Sequence, residues 1–333
     1  MNSFYKPIIL LKRIYRIAVL IVLLLTSASV YSQEEESSPD TLTVGMYVFS
    51  VYDVDFPQNQ LNVDFYIWYT YKNDSLNPSE SFELVNDKEL EKQTVFTEDY
   101  GDINYQTFRV NTVIREKWDI SDFPFDEHTV EIIVEDFDDK NSIVFIPDVA
   151  GTKLDSAVMK SLQHWIVKDY RIEEIDYVYE TNYGDPTVSS TDYPPYSRVI
   201  FTFTIQREGM SLFIKLFIGL FISILLSLIT FLINPMDLDP RFGLSVGALF
   251  AAIANSFVIA STLPETASFT FVDILHNLSY VYIFLCILIS AFSLKLWEAG
   301  KQKQSHRLDM ISLSVMSASI VVIAIVFLWM MWK

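Results

Sequence analysis

Four long apolar segments in the second half of the chain constrain its fold most strongly. They cover approximately residues 211–233, 242–263, 271–294 and 310–332. Each is close to the ~20 residues that an α-helix needs to cross the hydrocarbon core of a bilayer. The sequence therefore predicts a transmembrane domain at 208–333 that contains four helices.

Basic residues indicate how these helices are oriented. Lys301, Lys303 and Arg307 lie in the polar loop between the third and fourth segments, and Lys295 lies at its edge. Positively charged loops are retained in the cytoplasm. With four helices, both ends of the mature chain are then expected outside the cytoplasm.

The first 32 residues have the pattern of a secretory signal. Basic residues precede an apolar run at 17–25, and Val30 and Ser32 occupy positions typical of a cleavage site. We therefore predict a signal peptide at 1–32 that is removed. An uncleaved signal anchor is the alternative, but the apolar run is short for a membrane span. We expect a bacterial inner (plasma) membrane protein whose N-terminal domain is periplasmic or extracellular.

The segment that follows the signal is strongly acidic. Residues 33–208 contain 36 acidic and 13 basic residues, whereas the net charge of the whole chain is −18. A nucleic-acid partner is excluded, because its phosphates would be repelled. Cationic ligands, protons or divalent ions are favoured. The single cysteine, Cys286, lies in an apolar segment, so the outer domain has no disulfide.

Alternating apolar and polar residues extend from about 41 to 207 and are rich in Val, Ile, Tyr, Phe and Thr. This pattern is typical of half-buried antiparallel strands, and turn signals recur between the runs. The predicted fold is an extracellular immunoglobulin-like antiparallel β-sandwich at 33–207, followed by a four-helix transmembrane bundle.

One motif adds a family resemblance. The stretch at 115–128 contains Phe-Pro-Phe-Asp at 123–126 and resembles the Pro-loop of pentameric ligand-gated ion channels, the Cys-loop receptor superfamily. The flanking cysteines are absent, as in prokaryotic members. The strand at 63–68, Trp165, Arg207 and Leu263 followed by proline also match in order and spacing, so the resemblance covers nearly all of the mature chain.

The resemblance implies a homopentamer in which the Pro-loop transmits ligand binding to the membrane helices. It also implies an ionic cluster where the two domains meet. One guanidinium can bind two carboxylates, and partial burial strengthens such pairs. The residues expected at this coupling interface are Asp53 or Asp55, Phe123, Pro124, Phe125, Asp126 and Arg207.

The second apolar segment is expected to line the pore. Asp239 is predicted to cap this helix, with Pro240 in the first turn. Apolar rings gate by dewetting, so Phe250 and Phe257 are the gate candidates. Asp237 and Asp239 would attract cations at the inner mouth, whereas Arg241 would repel them. Stepping back from Pro264 by three or four residues gives the pore-lining face: Gly243, Gly247, Phe250, Ala254, Phe257 and Ser261. The two glycines are also typical of close helix packing.

Family agonists bind beneath a hairpin near the last two strands, which corresponds to about 181–196. Tyr183, Tyr193 and Tyr196 are candidates for a cage that attracts an amine. Tyr66 and Trp68 are expected to face it across a subunit interface. The alternative for each aromatic is core packing or cross-strand pairing.

An acidic run at Glu135, Asp136, Asp138 and Asp139 is a weak candidate for a divalent-ion site. Its spacing matches no EF-hand, and a solvated loop is the alternative. No catalytic triad, phosphate-binding loop or cofactor motif is present in the sequence, so neither an enzyme nor a cofactor is expected.

The predicted function is a homopentameric ligand-gated channel in contact with membrane lipid. It conducts inorganic cations and is opened by a small ligand, protons or divalent ions. The alternative is a non-conducting sensor or assembly module that retains the receptor fold.

Overall fold

The computed structural model describes residues 38–158, 162, 164–184, 193–265 and 268–331. Asp40–Lys333 form one compact unit. The predicted signal peptide at 1–32 lies outside the described residues, as does part of the predicted ligand-binding hairpin, at 185–192.

The alternating segment forms strands whose buried positions recur at every second residue. In the second strand, for example, Leu61, Val63 and Phe65 are fully buried. A short helix, α1, covers Pro78–Ser81. The described strands are β1 (Asp40–Asp55), β2 (Gln60–Tyr71), β3 (Phe82–Leu84), β4 (Asp87–Asp99), β5 (Asn104–Arg115), β6 (Glu127–Asp136), β7 (Ile143–Pro147), β8 (Lys153–Leu154), β9 (Trp165–Val178) and β10 (Pro195–Arg207).

Among the described residues the strands form two sheets. The first has the order β4-β5-β2-β1-β7, and β8 also pairs with β1. Its central pairs are antiparallel, whereas β7 and β8 run parallel to β1. The second is antiparallel, with the order β3-β6-β10-β9. Buried side chains of both sheets belong to one hydrophobic core.

Four long helices follow the strands in the described part of the chain. They are α2 (Gly209–Ile229), which continues into a 3-10 turn at Thr230–Leu232, α3 (Leu238–Ala260), α4 (Phe271–Glu298) and α5 (Gln302–Met331). Each is long and apolar enough to cross a membrane. The predicted order is confirmed: a β-rich segment is followed by four candidate membrane spans, which indicates a multi-pass membrane protein.

Helices that follow one another in the chain pack together, and the first and third also meet. α3 contacts both α2 and α4, α4 contacts α5, and α2 also contacts α4. The core of the sheets continues into the bundle through Phe213, Phe217 and Leu220 on α2. At the start of α4, Thr270 and Asp273 form a reciprocal capping box, which fixes where this helix begins.

The structure corrects the predicted start of α3. The helix begins at Leu238 with Asp237 as the N-cap residue, so Asp239 lies in the first turn rather than at the cap. Proline is tolerated in this turn because the first backbone N–H groups have no partner within the helix. Pro240 is therefore compatible with more than one first residue of α3, and the sequence alone does not distinguish between these possibilities.

Candidate functional site

The predicted pore-lining face of α3 is exposed in the single chain. Phe250 and Phe257 are 67% and 71% exposed, and Gly243, Gly247, Ala254 and Ser261 are exposed beside them. A Cβ atom at Gly243 or Gly247 would have no neighbouring atom within 4 Å. These glycines therefore do not mediate close helix packing within the chain, although packing between copies would remain compatible with them.

Arg241 does not share this face, which corrects its place among the pore-lining residues. Its side chain has no exposed surface and forms an ion pair with Asp309 of α5. Successive helical residues are rotated by about 100°, so Arg241 lies nearly opposite Phe250, whereas Asp239 lies on the same side as Phe250. Asp239 is exposed. The two opposite charges that the sequence predicts at an inner mouth therefore point to different sides of the helix.

A buried ionic cluster lies where the last strand meets the first long helix. Arg207 Nε donates to Asp126 Oδ1 over 2.7 Å, and Arg207 Nη2 donates to Asp126 Oδ2 over 3.0 Å. His128 Nε2 lies 2.6 Å from the same Oδ2. An ionised carboxylate only accepts hydrogen bonds, so Nε2 carries the proton. The structure thus brings two predicted coupling residues together and adds His128.

The environment of the cluster favours ionised Asp126. Burial would raise the pKa of Asp126, but hydrogen bonds from His128 and Arg207 and the charge of Arg207 outweigh it and lower the pKa below its ordinary value. The guanidinium carbon of Arg207 lies 4.0 Å from the ring centre of Trp165 and 4.5 Å from that of Phe56. These aromatic rings shield the ion pair from water, which strengthens it.

Asp53 and Asp55 do not join this cluster, contrary to the prediction. In the described part of the chain, Asp53 accepts from Asn62 Nδ2 over 3.3 Å and Asp55 accepts from Gln58 N over 2.9 Å. Arg207 is already bound in bidentate fashion by Asp126, which leaves little reason for a second carboxylate. Both aspartates instead line a cavity of about 520 Å³ that also includes Thr262, just after α3.

The loop at 116–126, between β5 and β6, contacts the membrane helices directly. The ring centres of Phe125 and Phe213 of α2 lie 5.7 Å apart. The carbonyl oxygen of Ser121 accepts a hydrogen bond from Phe271 N, the first residue of α4, over 3.1 Å. At Gly209 an added Cβ would overlap the carbonyl oxygen of Pro124 and the ring of Phe125. The predicted loop residues therefore lie against the starts of α2 and α4, and Phe123 is buried in the core.

Tyrosines gather at the far end of β9 and β10. The ring of Tyr179 lies 5.6 Å from that of Tyr183 and 5.4 Å from that of Tyr196. Tyr193 is half-buried and borders the residues outside the description. Two predicted ligand candidates are thus brought together by Tyr179, which sequence reasoning missed. Tyr179 follows the end of β9 and is one of many aromatic residues in the sequence, so no sequence signal distinguished it.

Charged groups line the tyrosine cluster. Arg198 Nε donates to Glu135 Oε1 over 2.6 Å, and Tyr179 Oη donates to Glu135 Oε2 over 2.7 Å. The guanidinium carbon of Arg198 lies 3.7 Å from the ring centre of Tyr177. Burial and the hydrogen bond to Glu135 raise the pKa of Tyr179, so it remains a neutral donor. The guanidinium of Arg198 therefore already covers part of the aromatic surface, at Tyr177.

A further carboxyl group lies next to this pair. Glu83 of β3 is directly opposite Glu135 of β6. Burial, together with the charges of Glu135 and Asp87, raises the pKa of Glu83 above its ordinary value. The charge of Arg198 opposes this rise without cancelling it, and a further cation nearby would lower the pKa of Glu83 again.

Tyr66 and Trp68 occupy a different surface. Both point away from the core on β2, in the first sheet, where Tyr66 contacts Phe49 at 5.4 Å between ring centres. Trp68 Nε1 donates to Asp148 Oδ2 over 3.2 Å. The tyrosine cluster belongs to the second sheet. A single chain therefore does not bring the two predicted halves of the ligand site together.

The acidic run does not form a metal centre in the described residues, where no three His, Cys, Asp or Glu side chains come together as a metal ion would require. Glu135 is engaged by Arg198, and Asp136 accepts from Ser81 Oγ over 2.6 Å. Asp136 also accepts from the backbone N–H of Asp138. These neighbours already supply the positive charge and donors that the buried carboxylates need. Asp139 accepts from the backbone of the following loop.

A set of polar contacts inside the helix bundle was also not predicted from the sequence. Asn255 Nδ2 of α3 donates to the carbonyl oxygen of Leu216 on α2 over 2.9 Å, and Asn255 Oδ1 lies 3.2 Å from His276 Nε2 of α4. Polar residues in apolar helices usually face the bundle interior. That rule identifies Asn255 and His276 as interior residues, but not as partners of each other.

No protein-family model matches this chain, and no curated protein matches its sequence. The proposed function therefore rests on the geometry of the residues described above.

Proposed function

We propose that the chain is one subunit of a homopentameric ligand-gated ion channel, located in a bacterial inner membrane with its β-rich domain on the periplasmic side. In this proposal the two sheets are the halves of an immunoglobulin-like β-sandwich. The observation that carries the proposal is the exposed face of α3. This face combines two phenylalanines and a row of small residues with the exposed carboxyl group of Asp239 at its end. A charged residue on a membrane helix usually faces other helices or a water-filled cavity, so the face suits further copies of the chain better than lipid alone.

Five α3 helices around one axis would form a pore with two aromatic constrictions, at Phe250 and Phe257. Such apolar rings exclude water when narrow and admit it when they widen. Asp239 would form an acidic ring at the inner mouth. Together with the acidic outer domain this ring favours cations over anions.

The loop at 116–126 provides a route from ligand to pore. It carries Asp126 of the buried ionic cluster and contacts α2 and α4 at their starts. A movement of the outer domain would therefore act on the two helices that pack against α3.

A small amine is the ligand class that the tyrosine cluster supports. Tyr183 and Tyr196 offer aromatic faces near the carboxyl group of Glu83, and an ammonium group is attracted by both. In the proposed pentamer Tyr66 and Trp68 of the neighbouring subunit would complete the site.

Currents from purified protein in planar bilayers test this proposal. We expect cation currents that appear on addition of primary amines to the outer side, with pH steps and divalent ions as parallel trials. Tyr183→Ala should raise the half-activating concentration about fivefold, because one cation contact contributes on the order of 1 kcal/mol. Tyr183→Phe keeps the aromatic face and should change it little. Absence of current under every condition would favour a non-conducting sensor instead.

A further inference from the structure

A buried ion pair joins the inner ends of α3 and α5. Arg241 Nη2 donates to Asp309 Oδ1 over 2.6 Å, and Arg241 Nη1 donates to Asp309 Oδ2 over 3.1 Å. Nη1 also donates to the carbonyl oxygen of Ile233 over 2.7 Å. The side chains of Arg241 and Asp309 are 0% and 2% exposed. The guanidinium is thus held on the bundle side of α3, between the end of α2 and α5.

Stability alone does not account for this pair. Desolvating two charges costs about as much as their attraction returns, and apolar residues of similar volume often serve equally well. The pair has another effect, which follows from its position. Arg241 lies within one helix diameter, about 10 Å, of the face that carries Asp239. An unpaired charge at this distance acts on ions at that face, because salt screens a buried charge much less than an exposed one.

We propose that Asp309 is a determinant of charge selectivity, acting through Arg241 and resting on the proposed channel function. With Asp309 ionised, each pair is neutral at a distance, so Arg241 does not oppose the exposed carboxylates of Asp237 and Asp239 at the inner mouth. Without Asp309, five guanidinium charges would oppose the ring of five Asp239 carboxylates.

The experiment measures the cation-to-anion permeability ratio from reversal potentials in a salt gradient. Asp309→Asn should lower the ratio severalfold, because the charge of Arg241 is no longer compensated. Arg241→Met should not lower it. The double variant Arg241→Met with Asp309→Leu removes both charges and should keep the wild-type ratio.

Single variants that leave one buried charge unpaired are strongly destabilising. Mixed pentamers keep the test decisive. They combine wild-type subunits with differently tagged Asp309→Asn subunits. The ratio should fall in steps with the number of variant subunits.

A purely structural role predicts a different result. If Asp309→Asn pentamers, homogeneous or mixed, conduct with the wild-type ratio, the selectivity proposal is wrong while the channel proposal stands. If the wild-type protein carries no current under any condition, both proposals fail together.

Discussion

At the scale of single residues, Glu116 gives the clearest pH-dependent expectation. It follows β5, and burial raises its pKa from 4.5 to about 7. A hydrogen bond from the backbone N–H of Lys117 opposes this rise, and the charge of Glu131 adds a smaller increase. The folded protein therefore binds a proton more tightly than the unfolded chain between these two pH values. The free energy of unfolding should fall as the pH rises from about 4.5 to 7 and level off above that.

Glu116→Gln should remove this part of the pH dependence. The variant should have a higher midpoint of thermal unfolding than the wild type at pH 8 and a similar one at pH 4.5, measured in detergent. Glu91→Gln, at an exposed strand position, serves as the control and should follow the wild type. An unchanged pH profile in Glu116→Gln would show that the burial of this carboxyl has no energetic consequence.

The pairing of Arg207 with Asp126 is testable by a double-mutant cycle. Arg207→Gln and Asp126→Asn should each destabilise the protein, and the double variant should be less destabilised than their sum by about 0.5–3 kcal/mol, because contacting residues share one interaction. Chemical unfolding in detergent provides the measurement. The exposed pair of Lys168 on β9 and Glu127 on β6, the two strands that flank β10, is the matched control, with an expected coupling below about 1 kcal/mol. Additive effects at both pairs would contradict the importance of the buried cluster.

Some contacts between residues could be predicted from the sequence, and others could not. The meeting of Arg207 and Asp126 was expected from a family resemblance, but the hydrogen bond from His128 was not. The ion pair of Arg241 with Asp309 joins residues that are 68 positions apart. Opposite charges are too common in the sequence to reveal which two meet. Pairing of this kind depends on tertiary packing, which the local sequence pattern does not reveal.

At the scale of elements, substitutions in α3 test the proposed function most directly. Replacing Phe257 or Phe250 by serine should hydrate the proposed constriction and stabilise an open pore, giving current without ligand. Single-channel recording measures the open probability. Phe292→Ser, at an exposed position of α4, is the control and should leave it unchanged. If serine at both positions of α3 gives no current with any ligand, pH or voltage, the channel proposal should be abandoned.

Elements were largely predictable because their signals are local. Alternation along the strands and apolar length in the helices both follow from a single stretch of sequence. The start of α5 was not predictable in this way. The helix begins at Gln302, whereas the apolar run begins near 310, because polar residues such as Ser305 and Asp309 form its first turns. Ser305 is buried and hydrogen-bonded to Ser293 of α4 over 2.8 Å.

At the scale of the whole molecule, the number of subunits is the central expectation. The mature protein in mild detergent should have the mass of a pentamer by native mass spectrometry. Reducing agents should not change this mass, because the only cysteine, Cys286, is buried in the bundle. A monomer or dimer in several mild detergents would contradict the assembly, and the proposed pore with it.

The contacts between the loop at 116–126 and the helices also determine how this chain could be recombined with another. A chimaera cut between Arg207 and Gly209 would preserve the covalent connection but would separate Ser121 from its hydrogen-bond partner, Phe271 N. It would also place a foreign loop against Gly209, which has no room for a Cβ atom beside Pro124 and Phe125. A transplantable membrane module from this protein therefore consists of two separate pieces of sequence, the helices and the loop that rests on them.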